Sequence, residues 1–292
     1  MSFFSFAEIH RSIGRSNCLG LLALLVALPV RAQAPDTAHR EPLFTKSDAY
    51  LGAGFVLGTL ALAPFDRRIA SRLQDPGTQA SRVLQNIATD ARLVAVPGSA
   101  IIGGSLYALG KLGHWNGIAD LGLHGSEAIL VGNVLNTAIK WTAGRARPYV
   151  VNDTDPFNYE FLRGKRKGSD YSSFPSGHTL AAFAAASAVT DEVTRTWPKA
   201  RWYVGTAMYG GATMVGLSRL YNNQHWASDV IMGAGIGTLT GIKVVRYHHL
   251  TNPGNVVDRW LLSSSIAPDG HGGVAIMVTA LPGFGSGASN AP

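Results

Sequence analysis

Three short stretches hold the residues that could do chemistry: "KWTAGRARP" (140–148), "PSGH" (175–178) and "SRLYNNQHWASD" (218–229). In the third, His225 and Asp229 stand four residues apart, a spacing that shares one face of a helix. Asp229 can then accept a hydrogen bond from one ring nitrogen and leave the other with a free lone pair. That is how an orienting carboxylate prepares a histidine nucleophile. In the second stretch Ser176 is placed to cap a helix, so the first N–H groups, at Gly177 and His178, point outward as an anion site. His178 adds a proton donor at the same spot. In the first, Gly144 can end a helix and Pro148 turns Arg147 away from helical backbone. Lys140 and Arg147 would then stand side by side, and a guanidinium fork suits phosphate oxygens. Taken singly, each stretch has a plain structural account: a capped helix, cations at a helix C-terminus, a surface His–Asp pair.

Taken in order, the three are more specific. Lys140 and Arg147-Pro148, then Pro175-Ser176-Gly177-His178, then Ser218-Arg219, His225 and Asp229 closely resemble the type 2 phosphatidic acid phosphatase superfamily. That superfamily also includes bacterial non-specific acid phosphatases and vanadium-dependent haloperoxidases. The resemblance covers roughly residues 47–249, and no signature position departs from it. It implies an all-α fold, a bundle of about six core helices whose motifs meet in one phosphate-sized pocket.

It also implies roles. Lys140, Arg147 and Arg219 would neutralise phosphoryl oxygens, with Ser176 and the Gly177 N–H completing the cradle. His225 would attack phosphorus, held in the right tautomer by Asp229, and His178 would protonate the leaving oxygen. Water would then hydrolyse the phosphohistidine. Fixed cations would replace a metal, so no metal and no cofactor is expected, and vanadate is expected as an inhibitor. The implied substrates are phosphorylated lipids, such as phosphatidate or an isoprenoid diphosphate, or small phosphomonoesters. Two alternatives stay open: a haloperoxidase using vanadate as cofactor, and a non-catalytic phosphate-binding bundle. Pure binding, however, requires neither a nucleophile with its orienter nor a separate acid.

The elements that must position these residues read as six helical segments: 47–64, 77–112 with a break near Pro97, 118–143, 177–194, 200–217 and 226–249. Gly233, Gly237 and Gly241 repeat every fourth residue on one face of the last, which lets a neighbouring backbone come close. The expected organisation is a leader (1–32), a polar linker (33–46), the helical domain (47–250), a C-terminal β-hairpin extension (251–282) around "PDGHGG", and a disordered tail (283–292).

Arg11 and Arg15 precede the apolar run "LGLLALLVALPV" and small residues follow it, the pattern of a secretory signal with cleavage after Ala32. Export to the bacterial cell envelope follows, either to the periplasm or to association with the inner membrane. The single cysteine, Cys18, falls inside that leader, so a mature chain has no disulfide. A net charge of +7 favours anionic partners, a membrane surface among them, and no basic stripe interleaved with aromatics suggests nucleic acid. The charge-free runs are short of the ~20 residues a span needs, and mean hydropathy is only +0.11, which favours an exported bundle over a multispan one.

Other histidines offer little. His248 and His249 close the last helix, where cations complement the dipole, and His114, His124 and His271 have no partners at metal-ligand spacing. The run Arg163, Lys165, Arg166, Lys167 reads as a solvated turn between Gly164 and Gly168, with a substrate-attracting lid as the alternative.

Overall fold

A single turn of helix covers about 5 Å, so motifs tens of residues apart meet only if the helices that end at them share one end of a bundle. In a computed structural model of the chain they do. The chain divides into Met1–Arg31 and Ala32–Pro292. The structure describes residues 41–93, 98–152, 154–262, 265–268 and 274–277. The expected leader, the linker up to residue 40, the break at Pro97, the "DGHGG" of the expected turn and the tail all lie outside the described residues.

The described helices are α1 (Lys46–Leu62), α2 (Asp66–Leu73), α3 (Pro76–Gln79), α4 (Arg82–Leu93), α5 (Ser99–Leu112), α6 (Asn116–Ala143), α7 (Arg163–Lys167), α8 (Gly177–Thr196), α9 (Arg201–Tyr221), α10 (Ala227–Arg246) and α11 (Val256–Leu261). A π-helical turn, Tyr247–Thr251, extends α10. The all-α expectation stands, and the boundaries of the long helices fall within a few residues of those expected. Two short strands, β1 (Ser265–Pro268) and β2 (Val274–Met277), pair antiparallel with Ser265 opposite Met277. Within the segment expected as a hairpin extension, residues 256–261 are helical instead. Asn255 caps that helix, its side-chain oxygen accepting from the Asp258 N–H at 3.1 Å.

Helix α8 is central and packs on α6, α9 and α10. The glycine stripe explains its closeness to α10. A Cβ at Gly233, Gly237 or Gly241 would stand 2.6, 2.3 and 2.6 Å from the carbonyl oxygens of Ser176, Leu180 and Ala184, one per turn of α8. The backbones therefore touch, and the core between them is small: Ala128, Ala184, Ala188, Val244 and Val245. Beside it, Asp48 near the start of α1 binds Lys243 and, at 2.7 Å, Arg246, tying the first helix to the end of α10.

The large apolar side chains lie on the outside. Leu57 and Leu60 of α1, Ile101 of α5, Leu130 and Val134 of α6, and Trp202 and Tyr203 of α9 are all more than 60% exposed. Small residues within and large apolar residues without is the packing of helices in lipid, where close backbone approach replaces burial of bulky side chains. Among the described residues, two stretches, Lys46–Leu73 and Ala227–Thr251, are long and apolar enough to cross a membrane. Counting charge-free runs misses this, because polar residues at helix ends interrupt the runs without interrupting the outer faces.

Gly237→Ala should overpack the α8–α10 contact and cost about 1–3 kcal/mol, read as a lowered midpoint of thermal unfolding. Gly104→Ala, where a Cβ meets nothing within 4 Å, is the matched control and should leave the midpoint unchanged or raise it.

Candidate active site

The end of α6 supplies the first motif. Gly144 ends the helix in left-handed backbone (φ 57°), and a Cβ there would meet the Glu160 carbonyl at 2.0 Å. Lys140, in the last turn, turns its ammonium onto the backbone of the second motif's approach, donating to the Ser172 carbonyl at 2.5 Å and the Ser173 carbonyl at 3.4 Å. Ser173 in return donates its N–H to the Arg145 carbonyl. Arg147 stands outside the helix as expected. Its guanidinium donates to the Gln224 side chain at 2.9 Å and to the Ser169 carbonyl at 2.8 Å, while Trp226 donates its indole N–H to the Ala146 carbonyl. The first motif is thereby stitched to both others.

The run 163–167 forms the short helix α7, with Lys165, Arg166 and Lys167 solvated as expected and Arg163 turned inward. Arg163 is buried and donates to the Gly144 carbonyl at 2.7 Å and the Asn158 carbonyl at 2.8 Å. It braces the loop that carries Arg147.

The second motif opens α8. Ser176 is the N-cap residue, but its hydroxyl pairs with that of Thr179 at 2.8 Å instead of capping a backbone N–H. Its own N–H donates to the Asp229 carbonyl at 3.0 Å. Gly177 is packed so closely that a Cβ would meet the Asn136 side-chain amide at 2.7 Å, with Lys140 just beyond. His178 follows in the first turn and is half-buried. N–H groups in a first helical turn have no carbonyl four residues back, so this end carries positive potential.

In the third motif, His225 and Asp229 do not share a helix. Helix α10 begins at Ala227, with Trp226 as N-cap. His225 precedes it, and Asp229 is the third helical residue, its Oδ2 accepting from the Trp226 N–H at 2.9 Å and the Ser173 hydroxyl at 2.5 Å. The His225 Nδ1 faces the same Oδ2 at 3.6 Å, adjacent but beyond hydrogen-bond length. Both side chains are buried, and Arg219 is buried in the last turn of α9. Lys140 experiences the charges of Arg147, Asp229 and Arg219, and His225 those of Lys140, Arg147 and Asp229. Six of the eight expected site residues are thus tied together directly or by their fields: Lys140, Arg147, Ser176, Arg219, His225 and Asp229.

Burial is the main cause that pushes the His225 imidazole down to about 3; Asp229 opposes it, and Lys140 and Arg147 add to it. A neutral ring keeps its lone pair, which is what a nucleophile needs.

Sequence reasoning missed Arg145. It is buried, and one guanidinium nitrogen binds Asp229 while the other binds Asp66 at 2.7 Å. Ser228 closes the set, donating its N–H to Asp66 at 2.9 Å and its hydroxyl at 2.5 Å. In the sequence, Arg145 and Arg147 are two arginines in one loop, and Asp66 belongs to no motif. Nothing in the local sequence separates the one that binds two buried carboxylates from the one that binds Gln224 and the Ser169 carbonyl.

Comparison with known proteins agrees with the superfamily read from the motifs: residues 123–253 match the family model of the PAP2 superfamily. A lipid A 1-phosphatase of Porphyromonas gingivalis is 45% identical over 83 residues, 28% of this chain and 18% of that protein. An undecaprenyl-diphosphatase of Sulfolobus acidocaldarius is 35% identical over 36% of this chain and 48% of its own length. A lipid A 1-phosphatase of Rhizobium etli is 30% identical over 52% of this chain and 62% of its own. The chain therefore spans less than two thirds of each of these curated relatives. The fold is similar to the crystal structure of a transmembrane PAP2 type phosphatidylglycerolphosphate phosphatase from Bacillus subtilis, with a TM-score of 0.50 and 22% identity over 70% of this chain and all of that one.

Arg145→Met would leave Asp66 and Asp229 buried without their cation and should destabilise by about 3–5 kcal/mol, measured by thermal unfolding. Adding Asp66→Asn should restore part of that loss. For pH, the downward shift means that His225 stays neutral as pH falls through 6.5 and protonates only near 3. With a leaving group that needs no acid, the rate of enzyme phosphorylation should stay level from about pH 6, where Lys140 (lowered by burial to about 7) is charged, to about pH 4. A fall centred on the ordinary imidazole value would contradict the buried geometry.

Proposed function

We propose that this chain, whose residues 123–253 carry the PAP2 superfamily match, is a membrane-embedded phosphoric ester hydrolase acting on a phosphorylated lipid. One observation carries the reading. Lys140, Arg147 and Arg219, the α8 N-terminus at Ser176 and Gly177, and the buried His225–Asp229 pair converge at one end of the bundle. The names of the relatives support a lipid-linked phosphate or diphosphate as substrate. The bulky apolar exterior and two span-length stretches support a membrane location. The leader-like N-terminus supports export to the cell envelope.

The cations and the helix N-terminus hold the phosphoryl oxygens and take up charge as the transition state forms. His225 Nε2, with Nδ1 turned to Asp229, donates its lone pair to phosphorus. The bond from phosphorus to the leaving oxygen breaks, and His178 gives that oxygen its proton. Water then attacks the phosphohistidine and loses a proton to His178, and the P–N bond breaks to release inorganic phosphate. A shift of Asp229 by a few tenths of an ångström would turn its 3.6 Å approach to His225 into a hydrogen bond, stabilising the imidazole as it gains positive character. No metal ion enters this reaction, because Lys140, Arg147 and Arg219 already supply the charge.

The decisive measurement is alkaline-quench trapping with a labelled lipid phosphate, since the P–N bond of a phosphohistidine survives alkali and hydrolyses in acid. Wild type should form a phosphoenzyme that chases to inorganic phosphate, and magnesium should not accelerate it. His225→Ala should form none and lose at least ~1000-fold in kcat/KM. Turnover by His225→Ala near the wild-type rate would refute the mechanism.

A further inference from the structure

A second set of polar side chains is buried far along the bundle from the phosphate pocket. His124 lies sixteen residues before Lys140 on α6, roughly 24 Å at the helical rise. The π turn after α10 brings in His248 and His249, α8 brings in Glu192, and α11 brings in Asp258. His124, His248 and Glu192 are each no more than 2% exposed. Sequence spacing gives no hint of this meeting, since the residues come from four elements.

The contacts sort into ligands and supports. His124 Nδ1 meets Glu192 Oε1 at 2.5 Å, and the same carboxylate oxygen meets His249 Nε2 at 2.8 Å. His248 Nε2 meets Glu127 Oε2 at 2.8 Å. Each of the two stacked rings, 4.1 Å apart, is therefore fixed through one nitrogen by a carboxylate. A carboxylate behind the imidazole is the usual support of a metal-binding histidine, because it sets the tautomer and raises basicity. The nitrogens left over, His124 Nε2 and His248 Nδ1, both turn to Asp258 Oδ1, and the three ligand atoms lie within 4.8 Å of one another.

Hydrogen bonding alone does not satisfy this arrangement. His124 Nε2 is buried with no hydrogen-bond partner among the described residues, and Asp258 Oδ1 stands 3.5 Å away. That is long for a hydrogen bond, but close to the ~3.3 Å that separates two donors bound tetrahedrally to one ion. His248 Nδ1 lies 2.6 Å from Asp258 Oδ1 and 3.0 Å from the Asn255 side-chain amide nitrogen. The Asn255 amide is oriented by its own bonds, its oxygen accepting from the Asp258 N–H and its nitrogen donating to Asp258 Oδ2 at 2.8 Å and to the Asn252 carbonyl at 3.3 Å. The atom of this cluster left unanswered among the described residues is His124 Nε2, and a cation shared with His248 Nδ1 and Asp258 Oδ1 would answer it.

We propose that His124, His248 and Asp258 bind one divalent transition-metal ion, with zinc the best match to two imidazoles and a carboxylate. Water completes the coordination. The ion pins the π turn and α11 to the start of α6, and it is separate from the phosphate chemistry.

The test uses full-length protein purified in detergent with a tag free of histidine, stripped with a chelator, dialysed against zinc and then against buffer. Elemental analysis should find about one zinc per chain in wild type and in His225→Ala, and less than a tenth of that in Asp258→Asn. Zinc added to stripped wild type should raise the unfolding midpoint; added to Asp258→Asn it should not. If Asp258→Asn fails to fold, the wild-type stoichiometry and midpoint decide alone. Wild type that retains no zinc and shows no midpoint shift, or Asp258→Asn that binds zinc as wild type does, would overturn the assignment.

Discussion

The structure depends on a carboxylate held without water. Asp229 is fully buried, and an ionised carboxylate there is tolerable only because every direction around it is answered. Arg145 supplies charge, the Ser173 hydroxyl and the Trp226 N–H supply hydrogen bonds, and His225 faces the remaining side. Its backbone carbonyl holds the N-cap of α8 as well. One residue therefore touches all three motifs. Moving any of them would uncover a charge in a dry interior, a penalty of several kcal/mol that fixes their mutual positions.

Around this node the bundle sorts its residues by size. Glycine and alanine let α8 and α10 touch, which brings Ser176 against Gly233 at the same level as Asp229. The close approach of two backbones, more than any large side chain, aims the helix N-terminus at the pocket. The bulky residues displaced from the interior coat the outside, where lipid would be their natural solvent. Packing and location are thus two consequences of one sorting.

Charge at the two ends of the bundle serves different purposes. At the pocket, cations outnumber Asp229, leaving an excess for an incoming anion. At the opposite end of α6, histidines and carboxylates pair more evenly around Asp258 and Glu192. With the imidazoles neutral the carboxylates leave a negative excess, and a buried cluster of that kind calls for a cation rather than an anion. The same helix can thus carry two chemistries because a buried site is set by its nearest neighbours, and fields fade over tens of ångströms.

The sequence by itself determined the long helices, the glycine stripe and the motif residues, because these are local signals: periodicity, caps and short spacings of chemically special side chains. It placed Lys140 in a last turn, ended that helix at Gly144 and put Ser176 at an N-cap, all as the structure has them. Tertiary structure alone decided that His225 precedes α10 rather than riding on it, that Ser176 bonds Thr179, and that Arg163 is buried. It alone separated Arg145 from Arg147, joined Asp66 to Asp229, and carried His124 to His248. The physical reason is common to these cases. A buried polar group takes whichever partner the packing brings within about 3 Å, and packing between distant segments leaves no period in the chain to read.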